Sequence, residues 1–350
     1  MIIRYLLFTS LCIYVFATTL NAQVTPLHDN NWVIDRAKSD EFNNTIIDSS
    51  KWDVLDPSNG IGYNWGGGQF FRPDNALIDG TCLQLKVEAI PHSNKYYSGG
   101  IQSHHHDYSY GFFEIRAKLP GYYRGEKPCG KGFWPAFWTY YIEENDTCRV
   151  IHDEIDILEP SGSQYASAKS NVAGWHDEDT TCIKKHIKIS GDIWYTNTEP
   201  LFLDFHKYAV EWLPDRIIFY FDEHPFYISY NHPKMIMNSQ FVVIDQQIDG
   251  NTSLYPDTPL PQFMTIDYFR YYRLNVSHCG ETASIQNNHQ LNNFTQGVRK
   301  NIIIGDGTSS IYLSSGDKKT FRASNEIIIN GSFEVPIGCE LYLIPTQCLD

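Results

Sequence analysis

The run His152-Asp153-Glu154-Ile155-Asp156-Ile157-Leu158-Glu159-Pro160 sets three carboxylates among apolar and β-branched residues. Grouped carboxylates do nucleophilic and acid–base work when their surroundings push their proton affinities apart. An Ile-rich run of this length favours a strand. Alternation then puts Glu154 and Asp156 on one face, with Ile155 and Ile157 on the other. Strict alternation sends Glu159 to the wrong face. One extra residue, a β-bulge near Ile157-Leu158, returns it to the side of Glu154 and Asp156. Three like charges in a row repel and raise one another's pKa, a cost that usually marks chemistry. A half-exposed strand with a solvated acidic face has the same spacing, so the neighbouring elements have to decide.

Those elements are short strands and turns. Leu83 to Val87 alternates, and so does Phe112 to Lys118, with Phe113, Ile115 and Ala117 on one face and Glu114, Arg116 and Lys118 on the other. Glu114 and Arg116 read as a structural pair. Val210-Glu211-Trp212 and Ile217 to Phe221 flank a Leu213-Pro214-Asp215-Arg216 turn, which predicts a hairpin. Turn signals recur at Ser58-Asn59-Gly60, Gly66-Gly67-Gly68, Asp79-Gly80 and Asp249-Gly250, and no long amphipathic helix appears. The pattern predicts an all-β sandwich.

The hexamer Glu154 to Glu159, with Gly132-Phe133-Trp134-Pro135-Ala136-Phe137-Trp138 and Tyr110 to Pro120 upstream, resembles glycoside hydrolase family 16, in its bulged E-x-D-x-x-E subset of laminarinase- and agarase-like enzymes. Asp40-Glu41-Phe42, Phe205 to Trp212 and Ile266 to Tyr272 match family blocks in the same order, over roughly residues 30–274. The resemblance implies a curved jelly roll of two antiparallel sheets with a concave substrate cleft. It implies a retaining hydrolase with Glu154 as nucleophile, Glu159 as acid/base and Asp156 as the carboxylate between them. Retaining enzymes hold the two principal carboxyls about 5–5.5 Å apart. It assigns Trp134 to the cleft, while Trp138 fits cleft or core equally. His176, after Trp175, would reach the cleft beside the acid/base or serve as an ordinary structural histidine. Asn64, Trp65, Arg72 and Asn75 fall in a region of cleft loops. A structural calcium ion would sit away from the cleft at Glu41, the Gly80 carbonyl and Asp267, and hard oxygen ligands suit it. Catalysis needs no cofactor. Ile244 to Gly250 departs from the family pattern, and the loop Gly121 to Gly130 is longer than a minimal turn.

Composition narrows the partners. The 350 residues carry 27 Lys and Arg against 41 Asp and Glu, a net charge of −14, which disfavours nucleic acid and anionic membranes. Aromatics at 15% suit both sugar stacking and a β-rich core. Met1 to Ala22 reads as a secretory signal peptide, so the expectation is a secreted, periplasmic or cell-surface monomer, with no membrane association after signal removal. Past that leader stand Cys82, Cys129, Cys148, Cys182, Cys279, Cys339 and Cys348, an odd set in a compartment that favours disulfides. Cys129–Cys148 is expected as a bridge, and Cys279–Cys348 is a second candidate. His104-His105-His106 reads as a polar loop. After the domain 23–274, residues 275–296 read as a polar connector and 297–350 as a small β-rich module. That module resembles one found at the C-terminus of secreted Bacteroidetes proteins through Ala323-Ser324-Asn325-Glu326-Ile327 and Gly331-Ser332-Phe333.

The expected activity is endo-hydrolysis of a β-glycan, first of all β-1,3-glucan of the laminarin type. A galactan such as agarose, porphyran or carrageenan is the alternative, with Arg72 or Arg124 meeting sulfate. Transglycosylation by the same chemistry and non-catalytic glycan binding are further alternatives; the second predicts loss of a carboxylate, and all three are present.

Overall fold

The computed structural model describes residues 31–62, 68–144, 150–160, 165–176, 185–188, 192–214, 216–230, 238–250, 253–294 and 297–348. Asn64, Trp65 and the segment Met1–Ala22 expected to be a leader lie outside them, and so do the side chains of Trp175 and His176.

Two large sheets face each other. One, here the outer sheet, runs in the order His224–Ser229, Arg216–Phe221, His206–Leu213, Gly111–Lys118, Gln262–Leu274, Leu83–Ala89, Tyr96–Ser98 and Gln69–Phe71. The other, the cleft sheet, runs Lys185–Lys188, Ser167–His176, Val150–Glu159, Phe133–Glu144, Phe241–Ile248, Gly100–Ser103 and Trp52–Val54. Pairing within the cleft sheet is antiparallel throughout. Apolar alternation supplies the layer between the sheets, where Leu83, Leu85, Phe113, Ile115, Phe137, Ile155, Val172, Val210, Ile244 and Phe269 are fully enclosed. This is the all-β sandwich expected from the strand-and-turn text, in the jelly-roll form that the family resemblance implied.

The far side of the outer sheet departs from the alternation rule. Phe112 and Glu114 are as buried as Phe113 and Ile115, because a second layer covers that face. Trp32–Ile34 joins the sheet by pairing with Gln262–Leu274, its Trp32 ring packs on Phe112, and the C-terminal module lies against this side through Arg322 and Thr320. Glu114 takes its hydrogen bond from the Tyr268 hydroxyl at 2.8 Å, and Arg116 pairs with Asp267 at 2.7 Å, so the expected Glu114–Arg116 pair does not form.

The module is a stack of parallel strands. Thr282–Ile285, Arg299–Ile304, Lys318–Ile329 and Glu340–Pro345 form one parallel sheet, and Ser310–Tyr312 pairs with Ser332–Glu334 in another. Ile302, Ile304, Ile311, Leu313 and Phe321 fill the space between. Gly305, at φ +90, lies against the Asn330 carbonyl where a Cβ would collide. Residues 275–296 are more than a connector: Thr282–Ile285 is an edge strand of the stack, and Ile285 and Leu291 enter its core. Polar composition hid this, since a single inward residue per short strand carries the packing.

The module is fastened to the outer sheet. Arg322 donates to both carboxylate oxygens of Glu211, at 3.0 and 2.6 Å, with both side chains wholly enclosed. Arg216 adds a 3.4 Å contact to Glu211 and donates to the Pro345 carbonyl. Cys279 and Cys348 form a disulfide, as the second cysteine expectation had it. Cys129 is a buried free thiol, so the expected bridge to Cys148, a residue outside the described ones, is not made.

Candidate active site

The bulge falls where the carboxylate spacing requires it. On one side Trp138 pairs with Asp156 and Phe137 with Leu158, so Ile157 has no opposite residue. On the other side Asp156 pairs with Asn171 and Glu159 with Lys169, with a shift between them. Ile157 and Leu158 both turn into the apolar layer, which holds the bulge closed and returns Glu159 to the face of Glu154 and Asp156.

Glu154, Asp156 and Glu159 line one cavity of about 180 Å³ with Trp134, Ala136, Trp138 and Gln247. Trp134, Ala136 and Trp138 come from alternate positions of Phe133–Glu144, and Gln247 is paired with Trp134 from the next strand. The Trp138 ring is mostly covered and stacks on Tyr140, with centroids 5.1 Å apart. Trp138 therefore serves as cavity wall and as packing at once, together with Leu55, Phe71 and Val243.

Each carboxylate has a different environment. His152 Nε2 stands 3.2 Å from Glu154 Oε2. Asn171 Nδ2 donates to Asp156 Oδ2 at 2.8 Å. Lys169 Nζ stands 2.9 Å from Glu159 Oε2 and 3.6 Å from Asp192 Oδ1. Burial pushes Asp156 well above the ordinary carboxylate range, and the charges of Glu154 and Glu159 push it further. Burial also raises Glu159; Lys169 pulls it back, and Glu154 and Asp192 add to the rise. The outcome is a row in which protons are held against ordinary carboxylate behaviour, the condition for acid–base chemistry near neutral pH. Trp134 Nε1, Gln247 Oε1 and Asn171 Oδ1 are buried polar atoms with no hydrogen-bond partner among the described residues.

Other expected positions lie elsewhere. Arg72 is outside the cavity lining; it pairs with Asp74 at 2.5 Å and stacks over Tyr97. Asn75 is fully buried and donates to the Lys86 carbonyl, a structural role. The strand register sets His176 opposite Ile151 and Trp175 opposite His152. His104 pairs with Asp53, and His106 packs against Phe241. Arg124 pairs with Asp257 and stacks over Tyr255.

Both carboxylates of the expected calcium set are engaged by arginines. Both Glu41 oxygens accept from Arg270, at 2.8 and 2.7 Å, and Asp267 is held by Arg116. A guanidinium thus occupies each carboxylate, and among the described residues no group of three His, Cys, Asp or Glu side chains gathers around a common point.

Sequence reasoning missed His152, Lys169, Asp192, Asn171 and Gln247. His152 was within reach, since it precedes Glu154 by two and shares its face by alternation. Lys169 and Asn171 share the neighbouring strand Ser167–His176, Gln247 lies on Phe241–Ile248 and Asp192 just before Ile193–Thr196, and only the register brings them in.

Comparison with known proteins agrees with this geometry. The profile of Glycosyl hydrolases family 16 matches residues 61–259. A beta-glucanase of Rhodothermus marinus is 27% identical over 265 residues, spanning 67% of this chain and 84% of that protein. The glucan endo-1,3-beta-glucosidase A1 of Niallia circulans is 26% identical over 271 residues, 67% of this chain and 37% of that one. In fold, the laminarinase catalytic domain of Thermotoga maritima aligns with a TM-score of 0.53 at 24% identity, over 69% of this chain and 98% of that domain. A kappa-carrageenase of Zobellia galactanivorans aligns with a TM-score of 0.56 at 19% identity, over 70% and 96%. With the profile covering more than half of the chain and the bulged carboxylate strand at its centre, this protein belongs to glycosyl hydrolases family 16 and is an endo-β-glycan hydrolase.

Proposed function

We propose that the protein is a secreted, retaining hydrolase of a neutral β-glucan of the laminarin type. Glu154 is the nucleophile, Glu159 the acid/base, and Asp156 the proton-sharing neighbour that orients Glu154. The observation that carries this reading is the composition of the cavity: three carboxylates and two indoles, with no Lys or Arg among the described lining residues. A sulfated galactan would bring like charge to a row already strained by like charge. Arg72 and Arg124, the cations that would meet sulfate, are each engaged with an aspartate. Trp134 offers a flat apolar face to a pyranose ring with Trp138 as cavity wall, and the unpartnered Trp134 and Gln247 atoms offer hydrogen bonds to hydroxyls.

The chemistry is double displacement. Glu159 protonates the leaving oxygen while Glu154 attacks the anomeric carbon. Water then releases the glycosyl group with Glu159 as base. Asp156 keeps its proton and through it donates a hydrogen bond to Glu154, so that Glu154 meets the substrate ionised and fixed in direction.

A reducing-sugar assay on laminarin, lichenan, agarose, porphyran and κ-carrageenan tests the substrate, with laminarin expected to be cleaved fastest. Preference for porphyran or κ-carrageenan would replace the neutral-glucan reading. Proton NMR of the earliest product tests the stereochemistry: the β-anomer is expected first. Azide should give a β-glycosyl azide with Glu159→Ala and the α-azide with Glu154→Ala, and the reverse pattern would exchange the two roles.

A further inference from the structure

The carboxylate assigned as acid/base shares its cation with another acid. Lys169 Nζ lies between Glu159, at 2.9 Å, and Asp192, at 3.6 Å, and the Lys169 and Glu159 side chains are largely withdrawn from water. The bulge sets Lys169 directly across the strand pair from Glu159. Asp192 arrives from the other side, just before Ile193–Thr196, whose Trp194 pairs with Lys169. A cation this close favours the ionised form of Glu159. That suits the second step, in which Glu159 must act as base, and opposes the first, in which it must hold a proton. A cation with a second carboxylate within reach escapes the conflict.

We infer that Lys169 is a positioning residue that moves between Glu159 and Asp192 as Glu159 changes charge. The inference rests on Glu159 being the acid/base. Before the first step Glu159 is protonated, and Asp192 answers the charge of Lys169. As the glycosidic C–O bond breaks, the proton passes from Glu159 to the leaving oxygen, and a carboxylate oxygen of Glu154 bonds the anomeric carbon. One negative charge disappears at Glu154 and one appears at Glu159, where Lys169 now pairs. In the second step water attacks the anomeric carbon and gives its proton to Glu159. The bond to Glu154 breaks with its electron pair returning to the carboxylate, and Lys169 goes back to Asp192. Among the described residues the charged groups facing Glu159 are Glu154 and Asp156 on its own strand, Lys169 on the next and Asp192 beyond it; Asp245 lies across Phe133–Glu144. Burial would lower the proton affinity of Lys169, but Glu159 and Asp192 hold it above its ordinary value, so the cation persists in both positions.

The test is the pH profile of kcat/KM on whichever of the five glycans the wild type cleaves fastest. Its alkaline limb reports loss of the proton from the acid. Lys169→Gln removes the charge and should move that limb up by about one pH unit. Asp192→Asn leaves Lys169 on Glu159 and should move it down by about half a unit or more. Lys169→Arg should keep the wild-type limb. Lys169→Gln should also slow the second step, seen as a burst of released phenol from an aryl glycoside with a good leaving group. Opposite shifts support the shared cation, because a purely structural role would change yield or stability without moving the two limbs apart. Limbs that move together, or not at all, overturn it while leaving the role of Glu159 standing. Near wild-type hydrolysis by Glu159→Gln would instead overturn that role. Asp192→Asn changes a side chain at the protein surface and carries the test alone if Lys169→Gln does not fold.

Discussion

Asp156 and Glu211 are both enclosed acids on sheet strands, and they behave oppositely. Asp156 sits in the cleft sheet beside Glu154 and Glu159, and burial together with their charges drives its pKa up. Glu211 sits in the outer sheet under the module. Burial would raise it too, but Arg322 and Arg216 outweigh that, with help from the Tyr220 hydroxyl, and its pKa falls. One acid has been given guanidinium partners that cancel the desolvation cost, and it joins two parts of the chain. The other has been given acids for neighbours, so its proton stays close to being shared. The difference separates a carboxylate kept for structure from one kept for chemistry.

The sharpest way to break the comparison is to neutralise the cleft. Glu154→Gln and Glu159→Gln should each lower hydrolysis by about 10³-fold or more while leaving the thermal midpoint unchanged or raised. Reducing-sugar assays and thermal melts on the same samples would show it; a lowered midpoint with activity largely kept would make these residues structural.

At the other pole, Arg322→Met takes both short hydrogen bonds from the Glu211 carboxylate and leaves it the 3.4 Å contact to Arg216 and the Tyr220 hydroxyl. We expect a loss of roughly 3–5 kcal/mol of stability, measured by denaturant unfolding, with unchanged turnover per folded molecule at 25 °C. The triple change Glu211→Leu, Arg216→Met, Arg322→Met should recover most of that loss, because no uncompensated charge remains.

Asp156→Asn sharpens the contrast. Hydrolysis should fall by about 10²-fold, since Asn supplies a donor but cannot share a proton. Stability at neutral pH should rise. The sign follows from linkage: a raised folded pKa gives stability that is full below the ordinary value of 3.8 and is lost as pH rises past it. Glu211 works the other way, contributing above its ordinary value of 4.5 and losing that contribution as pH falls below it. Melts between pH 3 and 7 should therefore show Asp156→Asn gaining most at the neutral end. The triple variant should lose less than wild type toward the acid end.

The smallest effect concerns the indoles. Trp134→Ala should raise KM about ten-fold, on the order of 1.4 kcal/mol, with kcat within a few-fold. A kcat loss as large as that of Asp156→Asn would move Trp134 from binding the sugar to aligning the reaction.

Much of the cleft was legible beforehand. Glu154, Asp156 and Glu159 share a face only through the bulge, and the bulge was readable because the neighbouring family blocks favoured a shared face over a solvated acidic strand. The family resemblance assigned Trp134 to the cleft, and alternation put Trp138 on the same face while leaving cleft or core open. Arg72 and Asn75 were misplaced for a different reason: each lies on an irregular segment, where no periodicity tells whether a polar side chain meets the cavity, a neighbour or the backbone.

What the sequence by itself determined is local. It set strand identity, the inward faces of Leu83–Ala89 and Gly111–Lys118, the bulge, and the order of carboxylates along Val150–Glu159, because each depends on residues a few positions apart. What the tertiary structure decided is which charge meets which. Lys169 reaches Glu159 through strand register, Arg322 reaches Glu211 across 111 residues, and Arg270 and Arg116 take the two carboxylates expected to hold calcium. An ion pair needs only two side chains within a few ångströms, and sequence spacing places no limit on how far along the chain the partner lies. Whether a buried acid is neutralised, as Glu211 is, or left among its own kind, as Asp156 is, is therefore settled by packing alone.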